Sequence, residues 1–418
     1  MRYGINTLDD FQVLGKVVLC RVDINQPVNR EKGTLNSISR ITACVPTIRE
    51  LSDKGARLVL LAHQGSDIEY RNFYTTLPHA GVLTDLLGRN VRFVEDVCGP
   101  TAREAIRSLQ NGEIILLDNV RFCSEEQTLF EEALKLTHEQ QAKTEVVRKL
   151  APLANLYICD AFAAAHRDQP SLCGFEQLLP SAMGRLFERE YVVISQLMDK
   201  PTRPCVFVLG GAKVSDSFLM METVLKSGAA DSVLAGGLVA NILLAANGAN
   251  IGQGSLNYLK STGNDRHLPT AKTLYEKYSD RIRVPVSLAW VQDGLRREGS
   301  LAEIPFDATV LDISSQAAKE FADAIMNAKT VFVNGPMGVF EEAETEAGTR
   351  VVWKALGETK AFTVVGGGDS ITATTKYGKT KMIDYICTGG GALIRFLAGE
   401  ELPVVKALRH AAKAFPCA

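Results

Sequence analysis

The sequence predicts an α/β protein made of two doubly wound, Rossmann-like parallel-sheet domains that are joined by a long interdomain helix. Short apolar runs alternate with helical patterns along the whole chain, which is typical of parallel sheets with crossover helices. Four glycine clusters interrupt or follow such runs in the second half. The length of 418 residues exceeds the size at which one hydrophobic core usually keeps growing, so two domains are favoured over a single large one.

Five apolar runs in the first half predict strands, with helices between them. The strands are expected near Val17–Arg21, Leu58–Ala62, Val91–Phe93, Glu113–Leu117 and Leu156–Asp160. Helical patterns cover Ser39–Lys54, Thr75–Leu87 and Pro100–Asn111. A further helical stretch, Thr128–Leu150, is highly charged and is therefore expected on the surface.

The second half repeats this alternation after Met183–Met198, a segment without turn residues that predicts one continuous helix. Strands are expected near Cys205–Leu209, Ser232–Ala235, Ile282–Pro285, Thr330–Val333 and Phe362–Val365. The predicted organisation is an N-terminal domain over 1–182, an interdomain helix over 183–199, a C-terminal domain over 200–390 and a segment over 391–418 that returns towards the N-terminal domain.

Composition restricts the classes of function. The chain is 46% hydrophobic and 22% charged, as in soluble globular domains, and its net charge of −2 argues against a general nucleic-acid binder. The N-terminus lacks a signal-peptide pattern and no apolar stretch is long enough to cross a bilayer, so a cytoplasmic protein without a membrane partner is expected. Nine scattered cysteines without a Cys-x-x-Cys pair predict buried thiols in a reducing compartment, and zinc-ligand pairs at short spacing are absent.

The glycine clusters predict a site for nucleotide phosphates. They are Gly210-Gly211-Ala212-Lys213, Asn334-Gly335-Pro336-Met337-Gly338, Gly366-Gly367-Gly368-Asp369 and Gly389-Gly390-Gly391. Glycine lets backbone N–H groups approach a polyanion, and a helix that begins just after the turn adds the positive end of its dipole. One such cluster could equally be only a tight strand-to-helix turn, but four in one domain favour the phosphate site, with Lys213 able to meet a terminal phosphate.

The first half carries charged residues at the ends of its own apolar runs. The set is Arg21, Asp23, His63, Arg121, His166 and Arg167. The carboxyl ends of parallel strands share the edge where such sheets bind ligands. For a single arginine, a salt bridge to Asp23, Asp118 or Asp160 is an equal alternative, and a single histidine is more often a strand cap. As a set on one edge, these residues favour anion binding.

The motifs exclude two common nucleotide-binding families and resemble a third. No Gly-x-x-x-x-Gly-Lys-[Ser/Thr] sequence occurs, and Gly248, Gly252 and Gly254 do not have the Gly-x-Gly-x-x-Gly spacing. Nearly the whole chain instead resembles the phosphoglycerate kinase family, most closely its archaeal branch. The similar motifs are Arg21-Val22-Asp23-Ile24-Asn25-Gln26-Pro27, Arg40-Ile41 with Pro46-Thr47-Ile48, Leu117–Phe122, Asp160-Ala161-Phe162 with Ala165-His166-Arg167, Leu209–Asp216, Asn334–Glu341, Gly366–Asp369 and Thr388–Ala392.

The resemblance implies one substrate site on each domain. The N-terminal domain would bind 3-phosphoglycerate or 1,3-bisphosphoglycerate through Asp23, Asn25, Arg40, His63, Arg121 and Arg167. The C-terminal domain would bind ADP or ATP with Mg²⁺, which Asp369 would hold. The nucleotide-binding residues would be Gly211, Lys213, Gly236, Gly237, Leu311, Asn334, Glu341, Gly366, Gly367, Gly368, Asp369 and Ser370, with Leu311 packed on the adenine. Catalytic roles would fall to Arg40, Lys213, Gly367 and Gly390.

By that resemblance, the reaction is the reversible transfer of a phosphoryl group between 1,3-bisphosphoglycerate and ADP in glycolysis and gluconeogenesis. In-line transfer needs positioning and cancellation of charge, which Arg40, Lys213, Mg²⁺ and helix N-termini can supply. Both nucleophiles are ionised near neutrality, so no general base is required. Because the substrates would lie on different domains, the enzyme would close about the Met183–Met198 helix and the Thr388–Ala392 segment. A monomer is expected, with a dimer as the alternative.

Three departures from the family pattern leave alternatives open. The usual His-x-Gly-Arg-Pro is His63-Gln64-Gly65-Ser66-Asp67 here, so one substrate arginine is missing; Arg71 could replace it, or the affinity could be lower. Ser217 and Cys387 stand where lysine and serine are common. Ser66 and Asp67 motivate one competing hypothesis, a paralogue that acts on another acyl phosphate. A second is a non-catalytic nucleotide sensor, against which the charged residues Lys213, Arg40 and Asp369 argue.

Overall fold

The computed structural model describes Met1 and residues 3–29, 33–65 and 74–416, and the chain forms two compact units. The first unit contains Met1–Val193 and Glu401–Ala418, and the second contains Ile194–Glu400. In the described part of the chain, no helix combines the length and the apolar character needed to cross a membrane.

The first unit alternates short strands with helices. Its strands are β1 (Val17–Arg21), β2 (Val28–Asn29), β3 (Thr34–Leu35), β4 (Arg57–Leu61), β5 (Val91–Val94), β6 (Ile114–Leu117), β7 (Leu156–Cys159) and β8 (Ser181–Met183). Its helices, up to the one that leads into the second unit, are α1 (Ser39–Asp53), α2 (Leu77–Leu87), α3 (Pro100–Ser108), α4 (Thr128–Leu134), α5 (His138–Gln141), α6 (Glu145–Leu150), α7 (Pro170–Cys173) and α8 (Arg185–Asp199). Short 3-10 turns lie at Leu8–Asp10, Val120–Phe122, Ser124–Glu126, Ala151–Leu153, Phe162–Ala164 and Phe175–Gln177.

Six of these strands form one parallel sheet in the order β5-β6-β4-β1-β7-β8, and β2 and β3 form a small antiparallel hairpin. All residues of β1, β6 and β7 are buried, as expected for a parallel sheet that is covered on both faces. The winding reverses between β1 and β7. The loops that follow β1, β4, β6 and β7 therefore meet at one edge of the sheet, next to this switch point.

The second unit has the same alternation with an additional small sheet. Its strands are β9 (Cys205–Leu209), β10 (Ser232–Ala235), β11 (Ile282–Arg283), β12 (Ser287–Gln292), β13 (Leu295–Ser300), β14 (Val310–Ile313), β15 (Thr330–Asn334), β16 (Phe362–Gly366) and β17 (Tyr385–Ile386). Its helices are α9 (Val214–Lys226), α10 (Gly237–Ala246), α11 (Gln253–Ser261), α12 (Leu268–Tyr278), α13 (Ser315–Met326), α14 (Ala347–Glu358), α15 (Gly368–Lys376) and α16 (Gly390–Leu397), with a 3-10 turn at Asn264–His267. The last helix, α17 (Pro403–Ala414), belongs to the first unit, where it contacts β8 and α7.

The main sheet of the second unit is parallel, in the order β11-β10-β9-β15-β16-β17. If the six strands of this sheet are numbered along the chain, their order is 3-2-1-4-5-6. This is the strand order of doubly wound dinucleotide-binding folds, and the switch point lies between β9 and β15. The strands β12, β13 and β14 form a separate antiparallel sheet. The predicted fold class of two Rossmann-like parallel-sheet units is confirmed.

Two helical predictions are wrong in their bounds. The helix predicted over Met183–Met198 begins at Arg185, because Met183 pairs with Cys159 as part of the sixth strand of the sheet. The stretch Thr128–Leu150 is not one surface helix. It breaks at Lys135, which has a φ of 47°, and restarts where Thr137 caps α5 through the backbone N–H of Gln140. Val146, Val147 and Leu150 of α6 are buried.

A buried carboxylate fixes the start of α8. Asp160 follows β7 and is fully buried, and its Oδ1 accepts hydrogen bonds from the backbone N–H groups of Leu186 (2.9 Å) and Phe187 (3.2 Å). The first N–H groups of a helix have no partners within the helix, so this carboxylate satisfies two of them. Burial raises the pKa of Asp160 to about 7.

The substitution Asp160→Asn should reduce the pH dependence of stability, because asparagine keeps an oxygen acceptor for both amides but cannot ionise. The pKa of Asp160 lies above its ordinary 3.8, so the unfolded chain loses its proton first and wild-type stability falls as pH rises from about 4 to 7. Between about pH 5 and pH 8, we expect the wild type to lose about 2 kcal/mol more than the variant, measured as calorimetric melting temperatures. If the melting temperatures of the wild type and the variant changed with pH in the same way, Asp160 would not be protonated in the folded protein.

Candidate functional site

In the first unit, arginines surround His63 at the carboxyl edge of the sheet. Burial and the positive charges of Arg121, Arg21, Arg167 and Arg40 hold the pKa of His63 well below its usual range. The imidazole is therefore neutral near pH 7. The guanidinium of Arg21 donates to its Nδ1 at 3.1 Å, which leaves Nε2 to carry the proton. His63 is thus fixed as a hydrogen-bond donor in a strongly positive environment.

Arg21 itself is fully buried and acts as a support. Its Nε donates to the Ser171 hydroxyl at 3.1 Å and its Nη1 to the Val22 carbonyl at 2.7 Å, in addition to the bond to His63. Three of its donors are therefore used inside the protein. Arg21 holds His63 and the start of the loop after β1, although its sequence position alone suggested an anion ligand.

Arg40 and Asp23 form an ion pair in the same region. The Arg40 Nη1 lies 2.8 Å from Asp23 Oδ2, and the arginine side chain is 38% exposed while the carboxylate is buried. Asn25 joins two loops, because its Oδ1 accepts from the Gly65 N–H at 3.0 Å and its Nδ2 donates to the Gly65 carbonyl at 3.4 Å. Arg40 therefore keeps donors on its exposed side for a further partner.

Arg121 is buried without a carboxylate partner among the described residues. Its guanidinium donates to the Gly65 carbonyl, and its buried Nε has no hydrogen-bond partner in the described part of the chain. Burial, followed by the charges of Arg167 and Arg21, lowers the pKa of Arg121 to about 10. A buried cation is costly unless it is paired, so this geometry favours an anionic ligand.

Of the three carboxylates that sequence reasoning offered as salt-bridge partners, Asp23 pairs with Arg40 and the other two bind backbone groups. Asp118 accepts from the backbone N–H groups of Thr76 and Asn119, and Asp160 binds the start of α8. Arg167 has a different partner, Glu131, at 3.7 Å. The edge of the first sheet therefore carries more positive than negative charge, and the anion-binding interpretation is favoured over a set of internal salt bridges.

The second unit has a pocket of about 330 Å³ at the switch point of its sheet. Apolar side chains from several elements line it, namely Leu238, Leu288, Val310, Leu311, Met337, Val339 and Phe340. Polar groups are also present, from Asn241, Ser255, Tyr258, Thr309, Glu341 and Asp369. A mainly apolar wall with a few polar groups suits a flat aromatic ligand such as a nucleobase.

A smaller pocket of about 190 Å³ adjoins the first, since Gly211, Ala212 and Asp369 line both. It is lined by backbone and short side chains, among them Gly210, Lys213, Asn334, Gly335, Gly367, Gly368, Ser370, Gly390 and Gly391. The helices α9, α15 and α16 all begin at this pocket. Their N-termini direct unpaired N–H groups and positive dipole ends towards it, which suits a polyphosphate.

Glycine occurs at this pocket for two different physical reasons. A side chain at Gly335, which has a φ of 98°, would overlap the carbonyl oxygen of Gly210, so this glycine permits two loops to touch. A Cβ at Gly368 or Gly390 would meet no described atom within 4 Å, although both residues line the pocket. Those two positions leave bare backbone facing the space where a ligand would lie.

The predicted site residues come together within each unit, with two exceptions. Asp23, Asn25, Arg40, His63, Arg121 and Arg167 lie in loops at the carboxyl edge of the first sheet or at the start of α1. Gly211, Gly237, Leu311, Glu341 and Asp369 line the larger pocket, and Lys213, Asn334, Gly367, Gly368, Asp369, Ser370 and Gly390 line the smaller one. Gly236 and Gly366 line neither pocket, because they pack against Met337 and Leu393.

The departures from the expected pattern fall in different places. Ser66, Asp67 and Arg71 lie outside the described residues. Ser217 and Cys387 are both buried. Sequence reasoning missed Asn241, Ser255, Tyr258 and Thr309, which line the larger pocket from segments outside the glycine clusters. It also missed Ser171, which links Arg21 to Glu126 in the first unit.

Comparisons with known proteins agree on one family. The family model for phosphoglycerate kinase matches residues 8–400. A phosphoglycerate kinase of Methanothermobacter thermautotrophicus is 46% identical over 409 residues, which cover 98% of this chain and 97% of that protein. One from Thermococcus kodakarensis is 44% identical, with 96% of both chains covered. The solved phosphoglycerate kinase of Pyrococcus horikoshii OT3 has a TM-score of 0.86 at 39% identity, over 98% of this chain and 100% of that one.

The substitution Gly335→Ala should destabilise the second unit by about 3 kcal/mol, because the new methyl group needs a left-handed backbone and overlaps the Gly210 carbonyl. Gly228→Ala is the matched control, since Gly228 also has a positive φ, of 75°, but a Cβ there meets nothing within 4 Å. We expect a cost of about 1 kcal/mol for the control. Fluorescence of Trp290 and Trp353, which both lie in the second unit, follows its unfolding in denaturant. Equal costs would contradict the loop contact.

Proposed function

The chain belongs to the phosphoglycerate kinase family, and we propose that each of its two units binds one of the two substrates of that reaction. The activity is the reversible transfer of a phosphoryl group between 1,3-bisphosphoglycerate and ADP, which gives 3-phosphoglycerate and ATP. The observation that carries the assignment of substrates is the chemical difference between the two sheet edges. One presents guanidinium groups, and the other presents glycine backbone and helix N-termini.

We propose the phosphoglycerate site at the edge of the first sheet. The substrate carries a carboxylate and a phosphate, and guanidinium groups bind both through paired charge-assisted hydrogen bonds. Arg40, Arg121 and Arg167 supply the positive charge, and His63 donates through Nε2. Asp23 and Asn25 offer oxygen acceptors, which suit the substrate hydroxyl. The support for this set is the buried, unpaired Nε of Arg121 and the exposed side of Arg40.

We propose the nucleotide site in the second unit, with the base in the larger pocket and the phosphates in the smaller one. Leu311 and the other apolar side chains would cover the base, and Glu341 would lie near the ribose. Asn334, Gly367, Gly368 and Ser370 would surround the phosphates. Ser370 also accepts a hydrogen bond from the Gly335 N–H at 2.6 Å, so its hydroxyl holds the loop after β15 in place.

Asp369 fits the Mg²⁺ that such a nucleotide brings. Its carboxylate is exposed at the start of α15 and lines both pockets, and Mg²⁺ prefers oxygen ligands from one or two carboxylates together with phosphate oxygens. When bound, the ion would neutralise charge on the phosphates. This role of Asp369 stays a proposal, supported by its position at the boundary of the pockets.

The phosphoryl transfer would require no covalent intermediate on the protein. Lys213 and Arg40 would neutralise the charge that spreads over the equatorial oxygens, and the backbone N–H groups at the start of α15 and α16 would add their dipoles. The acceptor, a carboxylate or a phosphate oxygen, is already ionised, so no general base is needed. We also propose closure about α8 and the 388–392 segment, since the two substrates would be held by different units.

Location and oligomeric state stay predictions. A cytoplasmic location is supported by the eight described cysteines, which are all free thiols. We keep the monomer as the simpler expectation, because each proposed site is built from residues of a single unit of one chain.

A coupled assay with 3-phosphoglycerate and Mg-ATP tests the proposal. Lys213→Ala should lower kcat by about 100-fold or more, because it removes charge that stabilises the transition state. Lys226→Ala, at the exposed end of the same helix, is the control and should keep full activity. Arg40→Ala should lower kcat/KM for 3-phosphoglycerate to a similar extent, and Arg107→Ala on the exposed face of α3 should not.

Three outcomes would contradict parts of this proposal. Full activity of Lys213→Ala would remove that residue from the transfer step. Faster turnover of another phosphorylated acid than of 3-phosphoglycerate would indicate the paralogue, and ATP binding without any phosphorylated product would indicate the nucleotide sensor.

A further inference from the structure

The first unit contains a cluster of potential metal ligands that neither proposed substrate site uses. His138 is the first residue of α5, Asp168 precedes α7, and Cys173 ends α7. One ligand atom from each lies within 4.8 Å of the other two. Among the described residues, this is the group that brings together imidazole, carboxylate and thiol. The ligands come from three places in the sequence, so short-spacing motifs do not reveal them.

The distances are close to those of a metal centre. The His138 Nε2 lies 3.3 Å from Asp168 Oδ1, which is the separation expected for two ligands of one ion at bond lengths of about 2.0–2.2 Å. The Sγ of Cys173 lies within 4.8 Å of both of the other ligand atoms, and a zinc–sulfur bond is about 2.3 Å long. The imidazole is mostly covered, the carboxylate is partly exposed and Cys173 is fully buried, so the centre would have one side open to solvent.

The charges around Cys173 favour a cation and disfavour a bare thiolate. The carboxylates of Glu176 and Asp168 both place negative charge near the buried Cys173. Glu131 adds to the same field and its Oε1 accepts from the Asp168 N–H at 2.7 Å. A dication would reverse this balance, since it pairs with the thiolate and the carboxylate at once and releases the thiol proton to solvent.

A buried glutamine, Gln141, orients the Asp168 carboxylate through hydrogen bonds. Gln141 is 1% exposed, and its Nε2 donates to Asp168 Oδ1 at 2.6 Å and to the Asp168 carbonyl at 3.1 Å. Its buried Oε1 has no hydrogen-bond partner among the described residues. Hydrogen bonds to ligating carboxylates are the usual means by which proteins orient a metal ligand.

We propose that His138, Asp168 and Cys173 bind a borderline-soft divalent cation, with Zn²⁺ as the best match. Imidazole and thiolate favour zinc, cobalt or nickel over Mg²⁺ and Ca²⁺, which prefer oxygen ligands only. Three protein ligands leave a fourth tetrahedral position for water. The site is separate from the Asp369 site in the second unit. It would tie α5 to α7 and to the loop that carries Arg167.

Cobalt titration tests this without reference to enzyme activity. The chelator-treated full chain is titrated with Co²⁺ in the absence of nucleotide, and we expect a thiolate-to-cobalt absorption band that saturates at one ion per chain. Zn²⁺ should displace the cobalt, and millimolar Mg²⁺ should not. Cys173→Ser should lose the band. His138→Gln should weaken cobalt binding by about 100-fold or more, because loss of even an outer partner of a metal site costs about 10- to 100-fold.

Matched control variants distinguish cobalt binding at this site from cobalt binding at other cysteines and histidines. Cys205→Ser replaces a buried cysteine of the second unit, and His410→Gln replaces an exposed histidine of α17; both should bind cobalt as the wild type does. If Cys173→Ser fails to fold, His138→Gln carries the test, and its circular dichroism spectrum should match that of the wild type. Absence of the band in the wild type, or its survival in a folded Cys173→Ser or His138→Gln protein, would overturn the proposal.

Discussion

The arrangement of the second unit depends on a direct contact between the backbones of two loops at the switch point of its sheet. The Gly210 N–H donates to the Asn334 carbonyl at 2.9 Å, and the Gly211 N–H donates to the Pro336 carbonyl at 2.8 Å. A third bond joins the Gly237 N–H to the Met337 carbonyl at 2.7 Å. Side chains at these glycines would separate the loops. Because the loops touch, the starts of α9 and α10 are fixed beside the two pockets.

The two proposed sites would hold an anion by two different physical means. The second unit offers backbone N–H groups and helix dipoles, which carry no net charge and are inexpensive to bury. The first unit uses guanidinium groups, which are costly to bury, and it lowers that cost by keeping His63 neutral and by placing the Arg21 donors on Ser171, Val22 and His63. Arg121 keeps an unpaired Nε among the described residues, and a bound anion would satisfy this site.

The sequence predicted the parallel sheets because short apolar runs and glycine turns are local signals. It also placed Asp23, His63, Arg121 and Arg167 at one edge, since strand ends in a parallel sheet share that edge. Asn25 and Arg40 were implied only by the family resemblance. It did not predict β12–β14, although Asp293 and Gly294, with φ values of 50° and 72°, have the composition of a two-residue hairpin turn. The roles of Arg21 and Gly236 depend on contacts with distant residues, Ser171 and Met337, which no local pattern encodes.

The central claim is that each unit binds its own substrate with its own chemistry, and paired calorimetric titrations test it most directly. Gly368→Val places a side chain in the smaller pocket where a Cβ meets no described atom, and Arg167→Gln removes one guanidinium of the first unit. The account predicts that Gly368→Val lowers the affinity for Mg-ADP by about 10-fold or more and keeps the affinity for 3-phosphoglycerate. Arg167→Gln should lower the affinity for 3-phosphoglycerate by a similar factor and keep the affinity for Mg-ADP. If either variant weakens both ligands equally, or weakens the wrong one, the division of the two substrates between the units is contradicted.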